Sequence, residues 1–222
     1  MGKDKLRRFA IVENYPHFIQ PELGTPCEFK GKWNSHYFKN QNPIVVELGC
    51  GKGEYTVGLA ERNPDINYIG VDIKGARMYI GAKQALEMKL ENVAFLRTKV
   101  DFITESFDKR EIDEIWLTFS DPQPKKPNKR LSSRVFVERY KMILKPGGFV
   151  HVKTDSDILF EYTEEQIQTF QYPSEIVSWD IYQDLEKLKS QEERQILQIK
   201  THYEKLFTAK GSVIKYAKFR IS

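Results

Sequence analysis

A carboxylate and three glycines stand at the end of an apolar run in the segment Ile44–Gly53, IVVELGCGKG. The apolar residues at the start of this segment predict a short buried strand, and Glu47 lies at its mouth. Gly49, Gly51 and Gly53 remove alternate side chains from the turn, so the backbone can lie flat against a ligand and a helix can begin at once. The chemistry predicted for this turn is the binding of a cofactor.

A second carboxylate follows the glycines along the chain. The apolar run Tyr68–Val71 ends in Asp72, and a carboxylate about 20 residues beyond a glycine turn holds ribose hydroxyls in βαβ nucleotide-binding folds. We therefore predict that Asp72 binds a ribose, with capping of the helix that starts near Lys74 as the alternative. The G-x-G-x-G spacing differs from the G-x-G-x-x-G of dinucleotide dehydrogenases and looks like the first motif of S-adenosylmethionine-dependent methyltransferases.

A third carboxylate, Asp121, comes directly after the strand-like segment Ile115–Phe119. Pro122 and Pro124 fix the backbone beyond it. In a doubly wound fold this loop faces the glycine turn, which predicts a rigid acid beside the cofactor. A solvated surface is the alternative for a run of cations, but its position at a strand end favours phosphate binding. The cations of this run are Lys125, Lys126, Lys129, Arg130 and Arg134.

Strand-like and helix-like segments alternate from Ile44 onward. This alternation predicts an α/β fold with a doubly wound, mostly parallel sheet that binds ligands at the carboxyl ends of its strands. The segment Glu186–Lys200 is interpreted as a mobile surface helix or loop. Further predicted strands are Val93–Leu96, Ile112–Phe119, Phe149–Lys153, Ile176–Tyr182 and Val213–Ile221, and further predicted helices are Tyr55–Arg62, Phe136–Leu144 and Ile158–Phe170.

Composition limits the class of protein. With 222 residues, of which 40% are apolar, the chain can bury one substantial core plus a small appendage. No apolar segment is long enough to span a bilayer or forms a signal peptide, so we predict a soluble, cytoplasmic protein. The two cysteines, Cys27 and Cys50, have no metal-ligand spacing, which argues against disulfides and a metal site.

The first 42 residues are predicted to form an N-terminal basic arm, separate from a domain over residues 43–222. Prolines and glycines occur here among aromatic residues without sustained periodicity, which indicates an extended arm that wraps the domain. A basic, aromatic arm can hold phosphates and stack bases, and a solvated tail explains the charges equally well. Its cations are Lys3, Lys5, Arg7 and Arg8.

Six sequence blocks in order resemble the bacterial tRNA (guanine-N7)-methyltransferases: E-L-G-C-G-K-G, G-V-D-I-K, F-S-D-P-Q-P-K-K-P-N-K-R-L, K-P-G-G, H-V-K-T-D and T-H-Y-E. The similarity covers roughly Ile44–Ile221, and the D-P-x-P-K-K block is its most diagnostic part. The resemblance implies a Rossmann-like methyltransferase fold with seven strands and an antiparallel C-terminal strand. It also implies that S-adenosylmethionine donates a methyl group to guanine N7 in the variable loop of tRNA, without a metal.

Residue roles follow from the same resemblance. The family's cofactor contacts fall on Glu47, Asp72 and Asp121, beside Gly49 and Gly51 of the turn. Asp121 is also the implied catalytic residue. The implied contacts to guanosine and RNA are Lys125, Asp155 and the element from Thr201 to Glu204, to which the charge run adds Lys129 and Arg130.

Two of these residues have structural alternatives, and three positions depart from the family pattern. Asp155 resembles a helix cap and Glu204 a solvent-facing residue. Gln123 stands where the family usually has Trp, so stacking by that ring is absent, and Pro127 replaces a usual basic residue. Lys99 aligns with an acid or amide that reaches toward the adenine, so Asp101 or main-chain groups near Lys99 are the alternative ligands.

Guanine N7 carries a lone pair and no proton, so its methylation needs no general base. The enzyme's task is then alignment and compensation of the charge that develops on the purine, for which we predict Asp121. The alternatives are a nicotinamide-dependent reductase, which Glu47 and the glycine spacing argue against, a non-catalytic tRNA-binding protein, and another methyl acceptor. No protein partner is implied, and the protein is expected to be a monomer or homodimer.

Overall fold

The computed structural model describes residues 2–221. Its strands are β1 (Phe18–Ile19), β2 (Ile44–Leu48), β3 (Asn67–Asp72), β4 (Val93–Arg97), β5 (Ile112–Thr118), β6 (Leu144–Thr154), β7 (Ser174–Ser178) and β8 (Lys215–Arg220). Its α-helices are α1 (Gly2–Val12), α2 (Glu54–Arg62), α3 (Gly75–Glu87), α4 (Ile103–Ser106), α5 (Arg134–Ile143), α6 (Asp157–Thr169), α7 (Gln191–Leu197) and α8 (His202–Thr208).

The strands form one sheet in the order β1-β4-β3-β2-β5-β6-β8-β7. Every neighbouring pair is parallel except the two pairs made by β8, which is antiparallel to both β6 and β7. The predicted Rossmann-like fold with an antiparallel C-terminal strand is therefore confirmed. The strand number is corrected from seven to eight, because Phe18 and Ile19 pair with Phe95 and Leu96 at the edge of the sheet.

The N-terminal segment is not an extended arm. It contains α1, β1 and a π-helical turn over Trp33–Phe38. Val12 and Trp33 are completely buried, and the indole of Trp33 donates a hydrogen bond to the carbonyl of Ser106 over 3.0 Å. The prediction of an extended conformation was wrong because Val12 and Trp33, far apart in sequence, pack into core clusters with residues from distant parts of the chain. Separate domain status for residues 1–42 stays a prediction.

Most other boundaries agree with the predicted elements to within a few residues. The predicted strand over Ile176–Tyr182 starts two residues earlier and ends at Ser178, and the segment Glu186–Lys200 contains α7. The residues 146–148, which precede the predicted strand Phe149–Lys153, are inside β6. A register shift between β5 and β6 near Ile112 accommodates them.

The core lies on both faces of the sheet. All five residues of β2 are buried, as expected for a central parallel strand covered by helices on both faces. Within residues 2–221, no helix combines the length and the apolar character needed to cross a membrane. The same residues contain no group of three or more His, Cys, Asp or Glu side chains placed to hold a metal ion.

Candidate active site

The order of the strands reverses between β2 and β5, which are direct neighbours in the sheet. Ligands of open α/β sheets bind beyond the carboxyl ends of the strands at such a switch point. A cavity of about 550 Å³ lies at this place in the structure. It is lined by Glu47, Gly49, Cys50, Gly51, Lys52, Glu54, Asp72, Ile73, Lys74, Arg77, Thr118, Phe119, Ser120, Asp121, Gln123, Lys129, Leu131, Thr201, Tyr203 and Phe207.

The glycine turn follows β2 and forms the floor of this cavity. Gly49, Gly51 and Gly53 have φ angles of 78°, 57° and 74°, in the left-handed region that favours glycine. A Cβ atom on Gly53 would lie 2.4 Å from the ring of Phe95, so the turn also needs glycine for packing. The N–H of Gly51 donates to Asp72 Oδ2 over 3.0 Å. The turn therefore offers a ligand close approach to the backbone, while the carboxylate of β3 holds it in shape.

Asp72 serves both of the roles that its sequence position allowed. Its Oδ1 accepts a hydrogen bond from the N–H of Lys74 over 2.8 Å, just before α3 begins. Its Oδ2 accepts the hydrogen bond from Gly51. The carboxylate also lines the cavity and is only half-buried. Because a carboxylate has about four acceptor positions, Asp72 can orient the turn and still accept from ribose hydroxyls.

Glu47 lies deeper than Asp72 and is only 3% exposed. Its Oε2 accepts hydrogen bonds from the N–H of Thr56, over 2.9 Å, and from the Thr56 hydroxyl. Its Oε1 accepts from the hydroxyl of Thr118, at the end of β5. Burial raises the pKa of Glu47 to about 7, although these hydrogen bonds oppose the shift. Glu47 thus joins β2, α2 and β5 beneath the cavity.

Asp121 lies on the opposite wall and is exposed. Its Oδ1 accepts a hydrogen bond from the N–H of Gln123 over 2.9 Å. Phe119 and Gln123, on either side, have φ angles of 48° and 44°, values that side-chain-bearing residues rarely adopt. The loop is therefore held in a specific, strained shape that brings Asp121 to the cavity. Gln123 also lines the cavity.

The predicted cationic residues separate into two groups. Lys125 is exposed and Lys129 lines the cavity, with its Nζ 3.4 Å from Asp101 Oδ1. Arg130 is only 6% exposed, and its Nε donates to the carbonyl of Pro122 over 2.8 Å. The Arg130 guanidinium also lies over the ring of Tyr162, at 4.6 Å from the centroid. Because it is occupied in this way, Arg130 supports the loop, and its burial does not favour the RNA contact predicted for it.

Thr201 and Glu204 belong to α8, on the rim of the cavity. Thr201 lines the cavity and caps the helix, since its hydroxyl accepts a hydrogen bond from the N–H of Glu204 over 3.1 Å. Glu204 is completely buried. Its carboxylate accepts hydrogen bonds from Lys153 Nζ and from the hydroxyl of Tyr182. The solvent-facing alternative for Glu204 is therefore wrong, and this residue is not among those that line the cavity.

Asp155 follows β6 at the same edge of the sheet, but it is not among the residues that line the cavity. The helix cap of α6 is the next residue, Ser156, whose hydroxyl accepts from the N–H of Leu159 over 3.3 Å. The capping alternative for Asp155 is therefore wrong. Burial raises the pKa of the Asp155 carboxyl, and its carbonyl accepts from Lys215 Nζ over 2.9 Å.

The cavity continues past Gly49 and Asp72 into a second depression of about 440 Å³. Thr98, Lys99 and Asp101 contribute to its wall, where the resemblance implies the adenine. Asp101 is the residue paired with Lys129. Main-chain groups near Lys99 and the side chain of Asp101 remain the two predicted ligands for the adenine.

Sequence reasoning missed several residues that shape the site. Thr118 and Thr56 hold Glu47, and the aromatic side chain of Phe207 lines the cavity. Lys153 lies beneath α8 with no exposed surface. Burial lowers its pKa to about 8, opposed by the charge of Glu204. The alternation of Phe149, His151 and Lys153 along β6 could have shown that these side chains share one face, but not which partners lie there.

A cavity of similar size, about 560 Å³, lies on the same sheet near the amino ends of the parallel strands. There His151 stacks on Trp116 with ring centroids 4.1 Å apart and lies 3.1 Å from a carboxylate oxygen of Glu114. It is separated from the glycine turn and from Asp121. We assign the active site to the carboxyl edge, because the turn and the three predicted carboxylates meet there.

The residues at the carboxyl edge fit S-adenosylmethionine, the cofactor that the resemblance implies. Two of the wall residues, Gly49 and Gly51, have no side chain, so a ligand can lie directly on the backbone. Asp72 has acceptor positions for a ribose, and the depression beside Lys99 extends the cavity from that carboxylate. The residues that would hold the cofactor are thus contiguous.

Comparison with solved structures gives the class of the protein. The chain resembles the 16S rRNA methyltransferase KamB with a TM-score of 0.62 and 12% identity, over 90% of this chain and 98% of that chain. It resembles a SAM dependent methyltransferase from Aquifex aeolicus with a TM-score of 0.56 and 12% identity, over 81% and 82% of the two chains. At such identities the similarity shows the fold. This fold, with the glycine turn and carboxylates at its switch point, is the arrangement expected of an S-adenosylmethionine-dependent methyltransferase.

Sequence comparison gives the family. Residues 41–217 match the family model described as "Putative methyltransferase". The chain is 48% identical to the tRNA (guanine-N(7)-)-methyltransferase of Bacteroides thetaiotaomicron, over 100% of this chain and 87% of that protein. It is 44% identical to that of Christiangramia forsetii, over 99% of both chains. The chain belongs to the tRNA (guanine-N(7)-)-methyltransferase family, which confirms the resemblance and argues against a nicotinamide-dependent reductase.

Proposed function

We propose that this protein transfers a methyl group from S-adenosylmethionine to N7 of a guanosine in the variable loop of tRNA. The observation that carries the proposal is the meeting of the glycine turn, Asp72 and Asp121 around one cavity, with the cationic loop beside it. The relatives' name supports guanine N7 of tRNA as the acceptor. The variable loop comes from the family resemblance.

The proposed binding site of the methyl donor consists of Glu47, Gly49, Gly51 and Asp72. When bound, S-adenosylmethionine supplies a methyl group attached to a positively charged sulfur. Asp72 would accept hydrogen bonds from its ribose, and the glycines would allow its close approach to the backbone. Glu47 fixes the end of β2 relative to α2 through Thr56 and relative to the end of β5 through Thr118. This binding site is rigid because its carboxylates are already hydrogen-bonded within the protein.

Asp121 is the proposed catalytic residue. Guanine N7 has no proton to lose, so no general base is required. The Asp121 carboxylate orients the edge of the base and offsets the positive charge that methylation places on the purine. Its own hydrogen bond from Gln123 fixes its direction. This arrangement lowers the barrier through alignment and electrostatics rather than through proton transfer.

Lys125 and Lys129 are the proposed phosphate ligands. Lys125 is exposed, and Lys129 lies at the cavity next to the carboxylate of Asp101. Cations at this edge would hold the phosphates on either side of the target nucleotide, whose base must leave its stack to enter the cavity. Thr201, on the facing rim, and Asp155 complete the proposed substrate contacts. The predicted cytoplasmic location and the monomeric or homodimeric state remain predictions.

The direct test is methyl transfer from labelled S-adenosylmethionine to unmodified tRNA, followed by nucleoside analysis and mapping of the labelled position. We expect label in 7-methylguanosine from the variable loop. A tRNA in which that guanosine is replaced by adenosine is the control and should stay unlabelled. Binding of tRNA without label would indicate the non-catalytic alternative, and label in another nucleoside would indicate a different acceptor.

A further inference from the structure

A buried ion pair lies beneath the rim of the active-site cavity. Lys153 of β6 and Glu204 of α8 both have side chains with no exposed surface, and Nζ is 3.0 Å from Oε2. The hydroxyl of Tyr182 donates to the other carboxylate oxygen. Neither member of the pair lines the cavity. Any effect of this pair on methyl transfer must therefore act through other residues.

The same ammonium group holds the chain between α7 and α8. Lys153 Nζ donates to the carbonyl of Leu197 over 2.8 Å and to that of Ile199 over 3.2 Å. With the bond to Glu204, all three N–H donors of Lys153 are used. One side chain thus ties the end of α7, the connection and the first turn of α8 to the central sheet.

The main chain of Lys153 supports the opposite wall of the cavity. Its carbonyl accepts a hydrogen bond from the N–H of Phe119 over 2.8 Å. Phe119 leads from β5 into the loop that carries Asp121, and it has a positive φ of 48°. Lys153 therefore contacts both walls, the loop with Asp121 and the helix with Thr201 and Tyr203.

A buried charged pair between β6 and α8 fixes the relative position of these two elements more than it adds to the stability of the fold. Removal of two charges from water offsets much of their attraction, so a well-packed apolar pair can stabilise a fold equally well. Four directional hydrogen bonds, in contrast, hold α8 and the chain before it: three come from Lys153 of the sheet, and one comes from Tyr182. The residues that depend on this position are those of α8 that line the cavity.

We propose that Lys153 and Glu204 are positioning residues that hold α8 across the mouth of the active site. They set the gap between Asp121 and the rim residues Thr201 and Tyr203, through which the target base enters. The inference rests on the function proposed above for this cavity. Glu204 then has a positioning role instead of the RNA contact that the family resemblance implies.

The test is a double-mutant cycle with Lys153→Met, Glu204→Gln and the double variant. We expect each single variant to lower kcat for tRNA methylation at least about tenfold, because small misplacements of reacting groups cost large factors in rate. The double variant should be no slower than the slower single variant, since both changes break one unit. Near wild-type kcat in Lys153→Met with loss in Glu204→Gln would overturn the proposal, because Glu204 would then act on RNA directly. Additive losses would overturn it as well.

Lys218→Met is the matched control. Lys218 lies on the neighbouring strand β8, is 7% exposed and pairs with Glu175, at 2.9 Å, and with Glu193. Among the described residues it makes no hydrogen bond or ion pair with α8, and it does not line the cavity. At a temperature where all variants remain folded by circular dichroism, this variant should keep the wild-type kcat. If Lys218→Met lost as much kcat as Lys153→Met, general destabilisation would explain both losses, and the positioning role would be overturned.

A further variant and a second kind of measurement test the positioning role independently. Tyr182→Phe removes only one hydrogen bond from Glu204 and should lower kcat less than Glu204→Gln does. Hydrogen exchange of residues 202–208, measured without substrates, should be faster in Lys153→Met than in Lys218→Met. Unchanged exchange would contradict the proposal. Absence of tRNA methylation by the wild-type protein would instead refute the proposed function, while the exchange data would still decide on the ion pair.

Discussion

The two sides of the active-site cavity are built in different ways. On one side, the turn after β2 and the end of β3 hold their carboxylates in hydrogen bonds with neighbouring groups, as Glu47 and Asp72 show. On the other side, the loop after β5 leaves Asp121 and Lys125 exposed. The first side, called the donor side below, holds a small molecule of defined shape. The second, called the RNA side, must accept a large polyanion whose position is set mainly by charge.

This difference predicts different consequences for substitutions. Loss of the buried carboxylate of Glu47 on the donor side leaves its hydrogen-bond donors without water to replace their partner. Loss of an exposed cation on the RNA side removes a charge contact that salt already screens. Asp121 is the exception, because it lies on the exposed side and is proposed to act on the reacting base.

The largest effect is expected for Asp121→Ala. Removal of one group that stabilises developing charge typically costs about 100-fold to 1,000-fold in kcat. We expect a loss of this size in single-turnover methylation, with the tRNA dissociation constant nearly unchanged in a filter-binding assay. Asp121→Asn, which keeps the shape, should retain more activity. A wild-type rate for Asp121→Ala would remove Asp121 from the mechanism.

The burial of Glu47 predicts a pH-dependent stability on the donor side. Its pKa is raised to about 7 in the folded protein, above the value of about 4.3 expected when unfolded. The protonated form is thus favoured by folding, and the stability that Glu47 contributes is complete below about pH 4.3 and is lost as the pH rises to about 7. Over this interval the free energy of unfolding should fall by up to about 4 kcal/mol relative to Glu47→Gln.

Urea unfolding of both proteins at several pH values between about 5 and 8 measures this difference. The exposed Glu61→Gln variant, on α2, corrects for the general loss of one carboxylate. The wild-type stability relative to Glu47→Gln should decline up to about pH 7 and then become constant. A difference that is independent of pH would contradict the buried state of Glu47.

Asp72→Ala tests the donor side by affinity. The substitution removes the acceptor proposed for the ribose and leaves the N–H groups of Gly51 and Lys74 without their partner. Hydrogen bonds to charged groups contribute about 1.5–3 kcal/mol, which corresponds to a roughly 10-fold to 100-fold weaker binding of S-adenosylmethionine. Calorimetric titration measures this, and tRNA affinity should stay the same. Equal losses for both ligands would indicate disruption of the whole edge.

The smallest effect is expected on the RNA side, where Lys125→Ala and Arg130→Gln form a pair. Lys125 is exposed, so its loss should lower the slope of log affinity against log salt concentration by about 0.7 to 0.9. Arg130 is held by Pro122 and Tyr162, so its loss should lower the melting temperature with little change in the slope. The opposite pattern would show that Arg130 contacts phosphate.

How much could be predicted from the sequence depended on how local each feature is. The glycine turn, Asp72 and the loop of Asp121 each follow a strand within a few residues, and their places at the sheet edge were predicted correctly. The N-terminal segment was not, because α1 and Trp33 gain their order from contacts with distant elements. The indole of Trp33, for example, bonds to a residue 73 positions away.

By itself, the sequence determined the parallel α/β fold and the strand ends that form the cavity, because apolar periodicity and glycine or proline positions act over short distances. It also determined the family. Only the tertiary structure decided which charged side chains face the ligand. Glu204 and Arg130 lie in sequence among residues of the site, yet folding pairs Glu204 with Lys153, 51 positions away, and places Arg130 against Tyr162. Burial of a charge depends on partners that folding brings together, and local sequence does not specify them.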